Sequence, residues 1–223
     1  MELIEAIKSR KSIRGFKPTL VPSKVLTEII DLARLSPSGI NLQPWEFIVL
    51  TGESLQKANR VNEEQVALGA KGNADAPGYQ INGPYRERQF ALGQKLYGLL
   101  DISRDDAKKR AEWGLKGMRF YDAPAAILVC SDEMIYNSQS RMPLVDIGIV
   151  AQSIALIALE YGLGTCIEGA PVFYPAALKK ALGIPESKRP ILGIAIGYPD
   201  WDSPVNQLQS GREPLDSLIS WKS

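Results

Sequence analysis

The sequence predicts an α/β (α+β) fold: a three-layer sandwich in which helices flank both faces of a central mixed sheet. Three observations predict it. Helical and extended patterns alternate along most of the 223 residues. Extended runs such as Ala125–Cys130 are apolar along their whole length, as in strands covered on both faces. A 45% hydrophobic composition also lets a chain of this length bury one large core.

Residues 2–10 read as a short helix with Leu3, Ile4 and Ile7 on one face, followed by a loop over 11–22 that holds Pro18 and Pro22. Ser23 is placed as N-cap of a helix carrying Leu26, Ile29, Ile30 and Ala33, which stops before Pro37. Trp45–Leu50 reads as a buried strand, 52–68 as a helix, and the Gly-, Asn- and Pro-rich stretch 69–84 as a loop. A helix over 85–100 precedes one starting at Ser103, where Ser103 and Asp106 have capping-box spacing. The strand Ala125–Cys130 leads to a long apolar helix over 144–162, ending at Gly162 or Gly164 in a left-handed cap. A short strand at Thr165–Glu168, a helix near 174–182 and a strand at Pro190–Ile196 follow. The tail 199–223 is polar and irregular until Leu215–Ser220. Segment 60–120 breaks the alternation with helices alone and reads as a helical insertion, or lid, within a single domain spanning 1–223.

Composition removes several function classes. A net charge of +1 offers no electrostatic basis for a nucleic-acid or anionic-membrane partner. The absence of histidine excludes Ser-His and Cys-His catalysis, histidine zinc sites and a histidine general base. Cys130 and Cys166 form no CxxC pair, so no metal site is indicated; both sit in apolar runs and read as small buried hydrophobes. The stretch 144–164 is long enough to span a bilayer, but Asp146, Gln152 and Glu160 favour a helix buried in a globular protein. The N-terminus lacks the apolar region of a secretory signal, and a cytoplasmic location is the default expectation. Chemistry is left to carboxylates, cations or a bound cofactor.

Four segments stand out. In Arg10-Lys11-Ser12-Ile13-Arg14-Gly15-Phe16, an extended backbone would send Arg10, Ser12 and Arg14 to one side, a set suited to phosphate or another anionic oxygen cluster. Charge spacing alone fits a solvated basic loop at least as well. Ser36–Trp45 combines turn residues with two amides that can read the polar edge of a heterocycle; a plain turn with a buried Trp fits equally. Gly162–Gly169 joins the long helix to a strand, with glycines that permit close approach to a flat ligand, or simply a helix stop. Arg212 follows Gly211 in the tail, where a lone Arg is usually a surface residue.

Taken in order, RKSIRGF, PSGINLQPW, GLGTCIEG and a late Arg resemble the FMN-dependent nitroreductase family; the segments around Pro84–Ile102 and Ala111–Pro124 are similar to a subgroup like the nitrobenzoate reductases. The resemblance implies a nitroreductase-like fold and a cytoplasmic homodimer with flavin sites at its interface. It implies that Arg10, Lys11 and Ser12 hold the phosphate and ribityl side of FMN, with Arg14 near the N1/C2 edge of the ring. Pro37, Ser38, Gly39, Asn41 and Gln43 lie against the flavin, supplied by the partner subunit. Backbone amides of Ile167, Glu168 and Gly169 face N5, so Arg14 and Glu168 are the catalytic candidates, and Arg212 contacts phosphate.

Where many members carry a Lys two residues before the late Arg, this chain has Ser210. A second cation, Lys116 or Arg119, is expected near the flavin. The resemblance further implies that FMN takes hydride from NADH or NADPH and passes it, by a ping-pong mechanism, to a small electron-poor acceptor such as a nitroaromatic or quinone. No GxGxxG element suggests a separate nicotinamide domain. Reductive dehalogenation, activated-alkene reduction and non-enzymatic flavin binding use the same cofactor motifs and stay open at this stage.

Overall fold

The computed structural model of the chain describes every residue except 77, 138 and 223. The first lies in the expected loop 69–84 and the last in the expected tail, so those two expectations fall partly outside the described residues.

Among the described residues four strands form the sheet: β1 (Glu46–Thr51), β2 (Ala125–Asp132), β3 (Gly164–Glu168) and β4 (Lys188–Gly197), in the order β1-β2-β4-β3. All three pairings are antiparallel. Among the described residues, parallel pairing is limited to a single bridge between Ser12 and Thr165 at the β3 edge, so the mixed character expected of the sheet survives only there. An apolar run carries no direction, and direction is set by the connections. The central β2 is buried over Ala125–Ser131, and Ile127, Leu128 and Val129 have no exposed surface. Each such side chain contributes about 1.5–3 kcal/mol by leaving water.

Among the described residues there are seven α-helices: α1 (Leu3–Ser9), α2 (Ser23–Ala33), α3 (Gly52–Ala67), α4 (Gly83–Leu99), α5 (Ala107–Met118), α6 (Pro143–Glu160) and α7 (Pro175–Leu182). On one face, Leu26, Ile29 and Ala33 of α2 and Ile147, Val150 and Ile154 of α6 pack on Ile127, Val129 and Ile194. On the other, Leu55 and Ala58 of α3 and Leu178 of α7 pack on Ala126, Leu128 and Cys130. The three layers expected from the sequence are therefore present, and α3 belongs to the core rather than to an excursion. Among the described residues, α6 is the one helix long and apolar enough to cross a membrane, with mean hydropathy 1.7. Its Asp146 and its apolar flank are buried in this fold.

Two helix starts differ from expectation. The first bonds of α2 run from Val25 and Leu26 N–H to the Pro22 carbonyl, so Pro22 is the cap and Ser23 already helical. In α5 the cap is Asp106, whose Oδ1 accepts the Lys109 N–H at 2.9 Å, while Ser103 offers only its carbonyl to Asp106. The end of α6 is as expected: Gly162 takes φ +68°, a left-handed conformation that costs glycine least. Gly164 serves a different need. A Cβ there would lie 2.4 Å from Ile13 Cγ1, so only glycine lets the 11–14 segment dock on β3.

Candidate active site

The segment after α1 is extended and lies along β3. Ile13 N–H donates to the Thr165 carbonyl at 2.9 Å, and Ile13 is buried. Its neighbours alternate in role. Arg10, Ser12 and Arg14 lie close enough to Cys166 to act on its thiol, whereas Lys11 turns away. The Lys11 ammonium donates to the Asn206 carbonyl at 2.5 Å and sits 5.2 Å from the centre of the Trp201 ring.

Asn206 holds the Arg14 backbone. It is 1% exposed, and its Oδ1 accepts the N–H groups of Arg14 (2.9 Å) and Gly15 (3.2 Å). Its Nδ2 donates to the carbonyls of Gly15 (2.7 Å) and Asp200 (2.8 Å). A buried amide with all four bonds made fixes backbone on both sides of it. Nothing in the local sequence marks Asn206 out, since it lies in a tail that reads as polar and irregular.

The Arg14 guanidinium meets Tyr121 and Glu168. Its carbon lies 5.7 Å from the Tyr121 ring centre, within cation–π range. Tyr121 also packs on Trp113 at 5.3 Å between ring centres. The phenol is aimed by an unusual turn before β2, in which Phe120, Tyr121 and Asp122 take φ of 55°, 52° and 57°. Three left-handed non-glycine residues in a row are costly and mark a conformation imposed by packing. Phe120 has no exposed surface. In the sequence Tyr121 is one of several aromatics of the helical segment and its flank, with nothing to set it apart.

Charge at this cluster is lopsided. Burial raises the Glu168 carboxyl to about 9, although Arg14 pulls the other way. Burial, followed by Cys166 and Glu168, raises the Tyr121 phenol to about 12. Burial likewise raises the Cys166 thiol to about 12. For Arg14 burial opposes the charge, but Cys166, Tyr121 and Glu168 more than offset it, and its pKa lies above the ordinary value. At neutral pH the three neighbours are uncharged while Arg14 is cationic. Glu168 Oε1 is buried without a hydrogen-bond partner among the described residues. The cluster is thus a half-buried, un-neutralised cation beside an unsatisfied carboxyl, an arrangement that suits an electron-rich ligand. Beside it, a Cβ on Gly169 would meet nothing within 4 Å, and Ile167 is 38% exposed on an otherwise buried strand.

The other expected site residues lie elsewhere. Pro37, Ser38, Gly39, Asn41 and Gln43 form a loop anchored to α6, where Gly39 N–H donates to Asp146 Oδ1 at 3.2 Å. Gln43 N–H donates to Ser38 Oγ at 2.9 Å, and Ile40, Asn41 and Gln43 all take positive φ. Among the described residues no hydrogen bond or ion pair joins this loop to Arg10, Ser12 or Arg14. Asp146 is a further residue whose role the sequence conceals, although a carboxylate inside an apolar helix is the signal that marks it. Arg212 bonds within its own turn, to Ser210 and the Gly211 carbonyl, and lines a groove against α4 with Arg88 and Lys95. Arg119 pairs with Glu63 (2.7 Å) and Asp122 (2.9 Å), and Lys116 with Asp122 (3.7 Å), so neither is a free cation at Arg14.

Fold and site together place a half-buried cation without a charged partner beside the β3 edge of an antiparallel sheet. The chain belongs to the nitroreductase family, whose pattern it matches over residues 7–198. It is 32% identical to a 4-nitrobenzoate reductase of Pseudomonas putida, covering 93% of this chain and 89% of that protein. It is 30% identical to the nitroreductase NfnB of Mycolicibacterium smegmatis, covering 94% and 88% respectively. Among solved structures, the FMN- and NADPH-dependent nitroreductase NfnB from Sphigopyxis sp. strain HMH superposes with a TM-score of 0.94 at 29% identity, covering all of both chains.

Proposed function

We propose that this chain is an FMN-dependent oxidoreductase that uses NADH or NADPH to reduce small electron-poor acceptors, nitroaromatics foremost and quinones with them. The observation that carries the reading is Arg14: a half-buried guanidinium, stapled in place, with no charged neighbour to neutralise it. The curated relatives that match along nearly the whole chain are named for nitroarene reduction, which favours that branch over dehalogenation or alkene reduction.

The residues present fit FMN. When bound, FMN supplies the hydride chemistry, accepting from the nicotinamide and delivering to the acceptor. Arg14 provides a positive charge at the electron-rich edge of the ring, and in a partly buried site one such contact is worth a few kcal/mol. Arg10 and Ser12 lie beside it to hold the phosphate side. Gly169 and the backbone of Ile167 and Glu168 leave room for the ring. Glu168, protonated at neutral pH, presents an O–H rather than a second charge. No histidine is needed, because solvent can complete the protonation of the product.

The site is completed in a homodimer. Leu35, Ile40 and Leu42 around the Asn41 loop and Val145 on α6 are exposed apolar residues close together in the fold, a surface suited to a second copy. In that arrangement Ser38, Asn41 and Gln43 reach the flavin of the partner. The α4–α5 excursion serves as a lid, and the protein works on diffusible small molecules in the cytoplasm.

The visible spectrum of the purified protein tests the cofactor, and a panel of nitroaromatics, quinones, enones and halophenols with NADH and NADPH tests the reaction. A colourless protein that cannot be reconstituted with FMN would refute the reading. For the dimer, Arg14→Ala and Asn41→Ala chains are each expected to be poorly active, and their reassorted mixture to recover about a quarter of wild-type activity. No recovery on mixing would mean that each chain supplies its own site.

A further inference from the structure

The turn that precedes β2 is fixed on both sides of Tyr121. Among the described residues, Phe120, Tyr121 and Asp122 form the only run of three non-glycine residues with positive φ. Phe120 has no exposed surface and lies over Gly193 of β4, where a Cβ would come within 2.7 Å of its Cε1. Gly193 stands opposite Glu168 in the β3–β4 pairing, so the turn is seated beside the Arg14 cluster. On the other side, the Asp122 carboxylate is held by Arg119 at 2.9 Å and by Lys116 at 3.7 Å. Relaxing Tyr121 into an ordinary conformation would pull one of these anchors loose. A disfavoured backbone, fixed at both ends and projecting one side chain between them, aims that side chain.

Its target is Arg14. Asn206 fixes the Arg14 backbone but leaves the guanidinium at the end of a flexible stem. Among the described residues that guanidinium forms no ion pair, whereas Arg34, Arg88, Arg119 and Arg189 all do. The Tyr121 ring, with its centre 5.7 Å from the guanidinium carbon, supplies the missing hold. A carboxylate in that place would fix the cation and cancel its charge. An aromatic face fixes it and leaves the charge available. Tyr121 is itself held by α5: Trp113 packs on the ring at 5.3 Å between centres, and a Cβ on Gly117 would lie 3.5 Å from the phenol oxygen.

We propose that Tyr121 is a positioning residue for the flavin site: its ring holds the Arg14 guanidinium in place without neutralising it, and so sets how far the reduced flavin is favoured over the oxidised one. The proposal rests on the flavin oxidoreductase reading and adds to it a residue that no sequence motif marks.

Two measurements that need no turnover decide it. Tyr121→Asn removes the ring and installs a residue that tolerates the left-handed conformation, so the turn is kept. Tyr121→Gly, freer still in that conformation, is read in parallel and should match it. When the apoprotein is titrated with FMN, both variants should bind about threefold more weakly than wild type. In spectroelectrochemical titration of the holoprotein, the reduced form should lose about tenfold more affinity than the oxidised form, which lowers the two-electron midpoint potential by about 30 mV. Tyr121→Phe keeps the ring and should stay within about twofold of wild type in affinity, with its potential restored. In an Arg14→Ala background, Tyr121→Asn should move the potential no further, because the ring acts through that cation. A lowered Tm with an unchanged potential would make the turn purely structural and overturn the proposal. Equal shifts for Tyr121→Phe and Tyr121→Asn, or additive shifts in the double variant, would overturn it as well. The flavin reading of the site fails differently, through a protein that takes up no FMN or an Arg14→Ala protein with unaltered affinity and potential, and the proposal then falls with it.

Discussion

The two halves of the molecule around Arg14 are built to opposite rules. On the sheet side, Ile13, Cys166 and Phe120 are buried, Asn206 makes four hydrogen bonds, and Gly164 removes the side chain that would hold two segments apart. On the helical side, none of the 17 residues of α4 is buried, although it carries Tyr85, Phe90 and Leu92. A helix with no apolar stripe in contact with a core has little of its own to hold it rigid. The difference teaches a division of labour. Charge is positioned where the packing is dense, and the helical excursion is left with little packing of its own.

Breaking the rigid half should have the largest effect. Arg14→Ala is expected to slow flavin reduction by about 100-fold or more, as when a single charge-stabilising group is lost, and to weaken FMN retention. Stopped-flow reduction and flavin content measure this, and unchanged values for both would remove Arg14 from its role. Asn206→Ala leaves the N–H groups of Arg14 and Gly15 without their partner and should cost about 2 kcal/mol of stability, a drop in Tm of several degrees. It should also slow flavin reduction with the Arg14 charge intact. Loss of stability alone would make Asn206 a staple with no bearing on the site.

Glu168 gives the comparison a pH axis. Its carboxyl is raised from the ordinary 4.5 to about 9, so the folded chain holds a proton that the unfolded chain releases. Its contribution is fully present below about pH 4.5 and is lost as pH rises toward 9. Between pH 6 and 8 the flavin-free protein should lose up to about 3 kcal/mol through this group, at roughly 1.4 kcal/mol per unit of pH. Denaturant unfolding of Glu168→Gln should show a flatter profile, and a slope identical to wild type would assign the pH dependence elsewhere. The smallest effect belongs to the helical half. Leu92→Ala on α4 should change stability by no more than about 0.5 kcal/mol. A larger loss would show that α4 is covered in solution by a second copy.

The fold was legible wherever burial is complete. The strands read within two residues of their observed limits, the inner β2 and β4 because both faces are largely covered; β1, expected as buried, is an edge strand in which only Leu50 is buried, and α6 read almost whole. Their direction was not legible, because pairing is decided by connections rather than by side chains. Ser23 and Ser103 failed as caps for a local reason: a hydroxyl predicts a cap only if no neighbour reaches the first N–H groups sooner, and here Pro22 and Asp106 do. At the site, Arg14 and Glu168 were legible through family resemblance, while charge spacing alone left them ambiguous. Asn206, Asp146 and the left-handed turn at Tyr121 were not. Each depends on a partner more than 100 residues away or on a backbone conformation that its own residue type disfavours.

One clasp ties the two ends of the polypeptide: residue 206 holds the backbone of residue 14. While a ribosome is still making the chain and keeps that asparagine inside its exit tunnel, the amino-terminal arginine has nowhere fixed to sit. Truncated products ending before Asn206 should therefore emerge colourless however well their earlier strands have folded.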